Sequence, residues 1–359
     1  MKKAFSFFFH CFAAANICLL PHLASAGEKI PLTLKLTWKS SYEDNILKYS
    51  RRDLDRFENH TELYPSEITT ADDWINTFGL RAYTDLNLGR KVKLRPYYSF
   101  RISRYSVNQI VNSQSHYLLA RFSYRYRVYF YLQYYYLPGY YLRVYKDRDL
   151  DEYHSCDFDL HRPTARLRYR LPPYEIEGGF GREYIYYNGY FTEYDSEANF
   201  YNLEGSYTTP FNLDISLGYE YKESDNVGFV ADEQMASSSP IEDTEYGDSS
   251  YEENRFNVTA LYPLPIESSL NWQVGIEFER RLRYYQSSLP LNQDPFHAGR
   301  KDRRDIIATK VSLSATKAVS LEFKFTYDLR RTESPESVVR DIKNYDRRTF
   351  ELNVVYQVF

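Results

Sequence analysis

The sequence predicts an all-β protein, an up-and-down antiparallel β-barrel of about fourteen strands that crosses a bilayer. Three observations carry this reading. Apolar and polar residues alternate with period two over stretches of ten residues or more. The connections between those stretches are short and long by turns. The chain also opens with a segment built like an export leader. In Leu321–Arg330, "LEFKFTYDLR", Leu321, Phe323, Phe325, Tyr327 and Leu329 alternate with Glu322, Lys324, Thr326, Asp328 and Arg330. Side chains alternate across a strand, so this segment has one oily and one charged face.

The leader occupies residues 1–26, with Lys2 and Lys3 followed by an apolar run and then Ala24-Ser25-Ala26. That order matches a cleaved secretory signal, and the run is too short, and broken by Pro21, for a membrane anchor. Residues 27–359 then form a single barrel domain outside the cytoplasm. The formal charge, −4 for the whole chain, becomes −6 once Lys2 and Lys3 leave, which argues against nucleic acid as a partner. Of three cysteines only Cys156 lies beyond the leader, so no internal disulfide staples the domain. No later stretch approaches the ~18 apolar residues of a membrane helix. A mean hydropathy of −0.61 is compatible with a barrel, whose lipid face is hidden in alternation. The 38 tyrosines and 23 phenylalanines suit strands and membrane–water boundaries.

Fourteen stretches alternate, at approximately 30–42, 74–88, 91–105, 114–126, 128–145, 157–170, 174–187, 196–208, 211–222, 253–262, 270–285, 304–316, 320–331 and 347–358. Among the clearest, Phe211, Leu213, Ile215, Leu217 and Tyr219 alternate with Asn212, Asp214, Ser216, Gly218 and Glu220. Leu270, Trp272, Val274, Ile276 and Phe278 do so with Asn271, Gln273, Gly275, Glu277 and Glu279. Pro138-Gly139 marks a bulge in the fifth stretch. Even-numbered strands are followed by tight turns ("GRK", "LPP", "TP", "KAVS"), and odd-numbered ones by polar loops, the longest at 43–73, 223–252, 286–303 and 332–346. Short periplasmic turns and long external loops are the pattern of a barrel threaded through an outer membrane. The strands are also longer than the 5–6 residues usual in soluble sheets, and no blade repeat suggests a propeller.

The final residues "FELNVVYQVF" resemble the carboxy-terminal signal of bacterial outer-membrane barrels, although Phe359 falls one step out of phase with Phe350, Leu352, Val354, Tyr356 and Val358. "SYEDNILKYS" followed by "DLDRF" is similar to the first-loop region of certain uncharacterised outer-membrane barrels. The resemblance implies outer-membrane lipid as the surrounding medium and the barrel-insertion machinery as a partner of the last strand.

If the apolar sets face lipid, the polar sets face the lumen. The early strands then present Lys35, Lys39, Arg81, Lys93, Arg95, Arg101, Arg121, Arg125, Arg166, Arg168 and Arg170. The later ones present Glu175, Glu177, Asp214, Glu220, Glu277, Glu279, Glu322, Asp328 and Glu351, with scattered cations at Lys222, Lys310 and Lys324. A basic wall opposite an acidic wall is expected, an arrangement that resembles the constriction of general porins and implies passive diffusion of small hydrophilic solutes. Tyr83, Tyr97, Tyr117, Tyr129, Tyr131 and Tyr135 also point inward on this reading. They make a narrowed lumen, or a closed barrel serving as a surface or assembly scaffold, the alternative.

No catalytic machinery is expected. Asp159 and His161, with Asp72-Asp73 elsewhere, invite comparison with barrel proteases, but those have ten strands and differently spaced aspartates. Ser115 and His116 are adjacent and so lie on opposite faces. There is no phosphate-binding glycine loop and no Cys/His metal spacing, so no cofactor is expected. The acidic loop that includes Glu223, Asp225, Asp232, Glu233, Glu242, Asp243, Glu245, Asp248, Glu252 and Glu253 could collect divalent cations, but such loops are usually just solvated.

Overall fold

A computed structural model describes residues 32–61, 67–147, 150, 152–230, 245–266 and 270–358. The proposed leader, residues 62–66, the acidic stretch 231–244 and Phe359 lie outside the described residues. Fourteen strands close on themselves: β1 (Leu32–Glu43), β2 (Asp73–Thr84, resuming at Leu86–Asn87), β3 (Val92–Tyr105), β4 (Ser113–Tyr124), β5 (Val128–Lys146), β6 (Tyr153–Leu171), β7 (Tyr174–Tyr187), β8 (Ser196–Thr208), β9 (Asp214–Asp225), β10 (Tyr251–Pro263), β11 (Asn271–Tyr285), β12 (Lys301–Ser314), β13 (Val319–Glu333) and β14 (Tyr345–Gln357). Each strand pairs antiparallel with its sequence neighbours. The ring closes between β1 and β14, from Lys35 opposite Gln357 to Glu43 opposite Thr349. Closure leaves no free sheet edge, the condition a strand must meet in hydrocarbon.

Register separates the two faces. Opposite residues in a pair share a face, so the alternation of β13 propagates around the wall. Leu321, Phe323 and Phe325 lie opposite Leu313, Val311 and Thr309 of β12, and opposite Val354, Leu352 and Phe350 of β14. This set points outward and is exposed, as Phe323 at 56%, Ile276 at 59% and Leu167 at 56% illustrate. Aromatic side chains band the outer surface, including Tyr124, Tyr169, Tyr174 and Tyr201. Toward the loop end the outward positions turn charged: Arg280 and Arg303 pair with Asp305, and Arg331 with Asp346. These ion pairs mark where the apolar belt stops.

Two local features shape the wall. The register of β5 on β6 shifts between Leu137 and Tyr140 and again between Tyr141 and Arg143. Gly139 supplies the bulge with φ +51°, open to glycine at no steric cost. Strand β4 ends two residues earlier than the alternation suggests. Arg125 and Tyr126 take φ +50° and +55° in the three-residue turn 125–127 that joins Tyr124 to its partner Val128 in β5. Arg125 is therefore exposed at the turn end and does not stand on the inner wall.

The loop end is filled by its own connections. The β1–β2 loop carries α1 (Arg51–Glu58), whose N-cap Ser50 accepts from the Asp53 N–H at 3.0 Å. Ile46 and Ile68 of this loop pack with Val111 of the β3–β4 loop and Tyr141 of β5. The buried Asp73 carboxylate accepts from the backbone N–H groups of Ser106, Val107 and Asn108, and Asn108 accepts in turn from the Thr69 N–H at 2.8 Å. Across the mouth, α2 (Ser337–Lys343), between β13 and β14, buries Val339 and Ile342 against Phe296 of the β11–β12 loop. The fully buried Asp294 accepts from His297 Nδ1 at 2.9 Å and from the Asp248 N–H at 3.0 Å, tying the β9–β10 loop to the β11–β12 loop.

Candidate functional site

The inner face carries Lys93, Arg95, Arg101, Arg121, Arg166, Arg168, Glu175, Glu177, Asp214, Glu220, Glu277, Glu279, Glu322 and Asp328, each in phase with the polar set of its neighbours. Arg170, opposite Glu175, shares that face at the turn end. Outer groups face hydrocarbon and inner groups face one another and water. The chain folds as a transmembrane-type β-barrel.

The charges of the barrel interior do not form two separated walls. Cations and carboxylates interlock across neighbouring strands. Glu177 accepts from Arg166 at 2.6 Å and from Arg168 at 2.7 Å, while Glu175 pairs with Arg168 and Arg170. Lys310 and Lys324 both reach Glu277 at 2.6 Å. Glu220 lies between Arg162 and Arg255, and Lys222 sits on Glu183. Asp328, 1% exposed, takes a two-pronged contact from Arg304 and a further one from Arg347. The later strands are thus rich in inward arginines, among them Arg281, Arg283, Arg304, Arg330 and Arg347. Alternation alone hid them because several stand in adjacent Arg–Arg pairs, one member on each face. Asp214 and Glu322 are held by hydroxyls instead, Thr208 at 2.6 Å and Ser312 at 3.1 Å.

A basic sector does survive on β1–β4. Lys39 has Glu351 at 3.0 Å, and Arg95 and Arg121 share Asp85. Lys35, Arg81, Lys93 and Arg101 have no carboxylate partner among the described residues. Tyrosines fill the space between them. Tyr83 stacks on Tyr97, which meets Tyr117 edge-on. Arg95 lies over Tyr83 at 4.6 Å and Arg168 over Tyr131 at 5.2 Å, geometries in which a ring face attracts a cation. On the opposite side a polar cavity of about 410 Å³ opens between Glu204, Glu220, Arg255, Glu277 and Lys324.

Above it, at the mouth, lies a second cavity of about 290 Å³ that sequence reasoning missed. Its walls come from the β1–β2 loop, β5, β10–β14 and α2. Glu245 of the β9–β10 loop binds Lys343 of α2. Burial opposes its charge, but Lys343, Arg143 and Arg300 overcome that and hold the carboxyl at about 2. Lys48, in a left-handed turn at φ +55°, points into the same space. Burial pulls its ammonium down to about 7, and Arg347 and Arg304 add to the effect.

The other pairs singled out in the sequence do not assemble. Asp159 and His161 stand on the outward face, Asp159 accepting from the Gly139 N–H and His161 bound to the Tyr134 hydroxyl. Asp73 is committed to its loop contacts. His116 is outward among Tyr98, Phe100 and Tyr136, while Ser115 is inward. Of the acidic loop, Glu245 turns inward to Lys343 instead of toward solvent.

No protein-family model matches the sequence, and no curated protein matches it at the sequence level. Solved structures share the barrel only. The trimeric form of in-vitro folded OmpT from Vibrio cholerae is 8% identical, covering 92% of this chain and 100% of that one at a TM-score of 0.44. An anion-selective porin from Comamonas acidovorans is 8% identical over 92% of this chain and 99% of its own, with a TM-score of 0.43. An outer-membrane channel from Pseudomonas putida is 10% identical over 92% and 96%, at 0.42.

Proposed function

We propose that the barrel is a porin-like channel for passive diffusion of small hydrophilic solutes, without catalysis, whose external mouth is narrowed by its own loops. The observation that carries this is the lumen below the cap. It holds a polar cavity and a sector of cations without carboxylate partners among the described residues, Lys35, Arg81, Lys93 and Arg101, of which Lys35 and Lys93 lie over tyrosine rings. A sealed scaffold has no use for unpartnered charge, which is costly to hide from water. The packed cap favours the second reading, a closed barrel that presents its loops to a partner. Planar-bilayer recording of refolded protein, with a variant lacking 228–250, separates them. The channel reading expects discrete conductance in both proteins, larger in the deletion. Absence of conductance in both, with folded barrels, would leave the scaffold.

A further inference from the structure

We propose that the cavity beneath the loop cap is a binding site for a compact multivalent anion bearing carboxylate or phosphate groups. Its lining carries seven cationic side chains against two carboxylates, Glu253 and Asp302. Five of the cations lean on carboxylates. Arg281 pairs with Glu279, Arg283 with Glu253, Arg304 with Asp328, Arg330 with Asp302 and Lys343 with Glu245. Arg143 lies over the rings of Tyr49 and Tyr145 at 5.3 and 5.6 Å. The Lys48 ammonium has no hydrogen bond or ion pair among the described residues, although it lines the cavity and feels the charges of Arg347, Arg304, Asp328 and Glu43. An ammonium without a partner, in a cavity it shares with Arg143, Arg304 and Arg330, is a poor arrangement without a guest. Donors on several sides of the cavity suit a guest with more than one anionic group, because guanidinium forks match carboxylate and phosphate oxygens in pairs. The volume, about ten waters' worth of liquid, admits a tricarboxylate or a phosphate monoester and exceeds the need of a bare halide.

The site rests on the barrel and its cap, and binding does not require conduction, so it is read apart from any current. Citrate and inorganic phosphate are titrated calorimetrically into the detergent-solubilised full chain at low salt. Citrate should bind more tightly than phosphate. Lys48→Asn, which keeps a side chain tolerant of positive φ, should weaken citrate by about tenfold to a hundredfold, the loss of one hydrogen bond to a charged group. Lys48→Arg should restore it to within severalfold. Arg90→Gln, which removes an exposed charge at the turn end, should leave it unchanged. No citrate heat with a folded wild-type barrel, or equal affinity in wild type and Lys48→Asn, overturns the proposal.

Discussion

Lys48 shows how one side chain can work against the structure that holds it. In the unfolded chain it carries a proton up to its ordinary 10.5, whereas in the folded barrel burial and two arginines bring it to about 7. Below about 7 it is charged in both states, and the full cost of hiding that charge opposes folding. Between about 7 and 10.5 only the unfolded chain binds the proton, so stability from this group rises with pH. Lys48→Asn should therefore protect the amides of α1 from hydrogen exchange relative to wild type most strongly near pH 6.5. The gain should shrink by pH 9.5. A gain that does not vary with pH would mean the ammonium is already neutralised in the fold. Lys48 was not singled out in the sequence, where it is one lysine in a polar loop with nothing periodic around it. What makes it unusual is the company of Arg304 and Arg347, some 250 or more residues away.

All fourteen strands were legible, with ends displaced by up to about four residues, and the reason is physical. Hydrocarbon on one side and polar groups on the other impose alternation on every strand, and a slip by one residue would present Glu322, Lys324 and Asp328 to lipid at roughly 2–4 kcal/mol for each base near the midplane. Turn chemistry was less visible. Nothing in "YRYR" announced that Arg125 and Tyr126 would take positive φ in place of the usual glycine or asparagine. The loops were least legible, because their order comes from contacts between distant segments. Glu245 is the case in point: an acidic residue in an acidic run, it ties the β9–β10 loop to α2 through Lys343. Its depressed pKa stabilises the cap fully above about 4.5, and that contribution is lost as pH falls through about 2. Glu245→Gln reproduces the loss at neutral pH and strands Lys343. Trypsin should then cut α1 at Arg51 and Arg52 severalfold faster, while the barrel band on unheated gels stays in place. Unchanged cleavage would show that the apolar cluster of Phe296, Val339 and Ile342 holds the cap alone.

At the scale of the whole molecule, the interior divides into a neutralised half and a cationic half. The expectation of opposing walls failed because charges of opposite sign were drawn to adjacent strands, where pairing is strongest. Arg166, Arg168 and Arg170 consequently add little net field, with Glu175 and Glu177 beside them. On the proposed channel, the field across the lumen comes chiefly from Lys35, Arg81, Lys93 and Arg101. Arg81→Gln with Arg101→Gln should move the reversal potential of a conducting barrel in a salt gradient toward cation preference. Arg166→Gln with Arg168→Gln removes the same number of cations and leaves Glu177 unpaired, so it should move the potential in the same direction at least as far. No shift from this second pair would mean that Arg166 and Arg168 do not face the conducting path.

The outward arginines of the upper wall set the height of the molecule in its bilayer. Arg280 and Arg303 belong among headgroups, yet β11 continues five residues past Arg280 to Tyr285. At strand rise and barrel tilt this lifts the rim on the order of 10 Å above the oil. The structured lid thus stands clear of the bilayer, like a chimney collar. With the loops outside, as the proposed function has them, protease added to whole cells should reach it while the envelope remains intact.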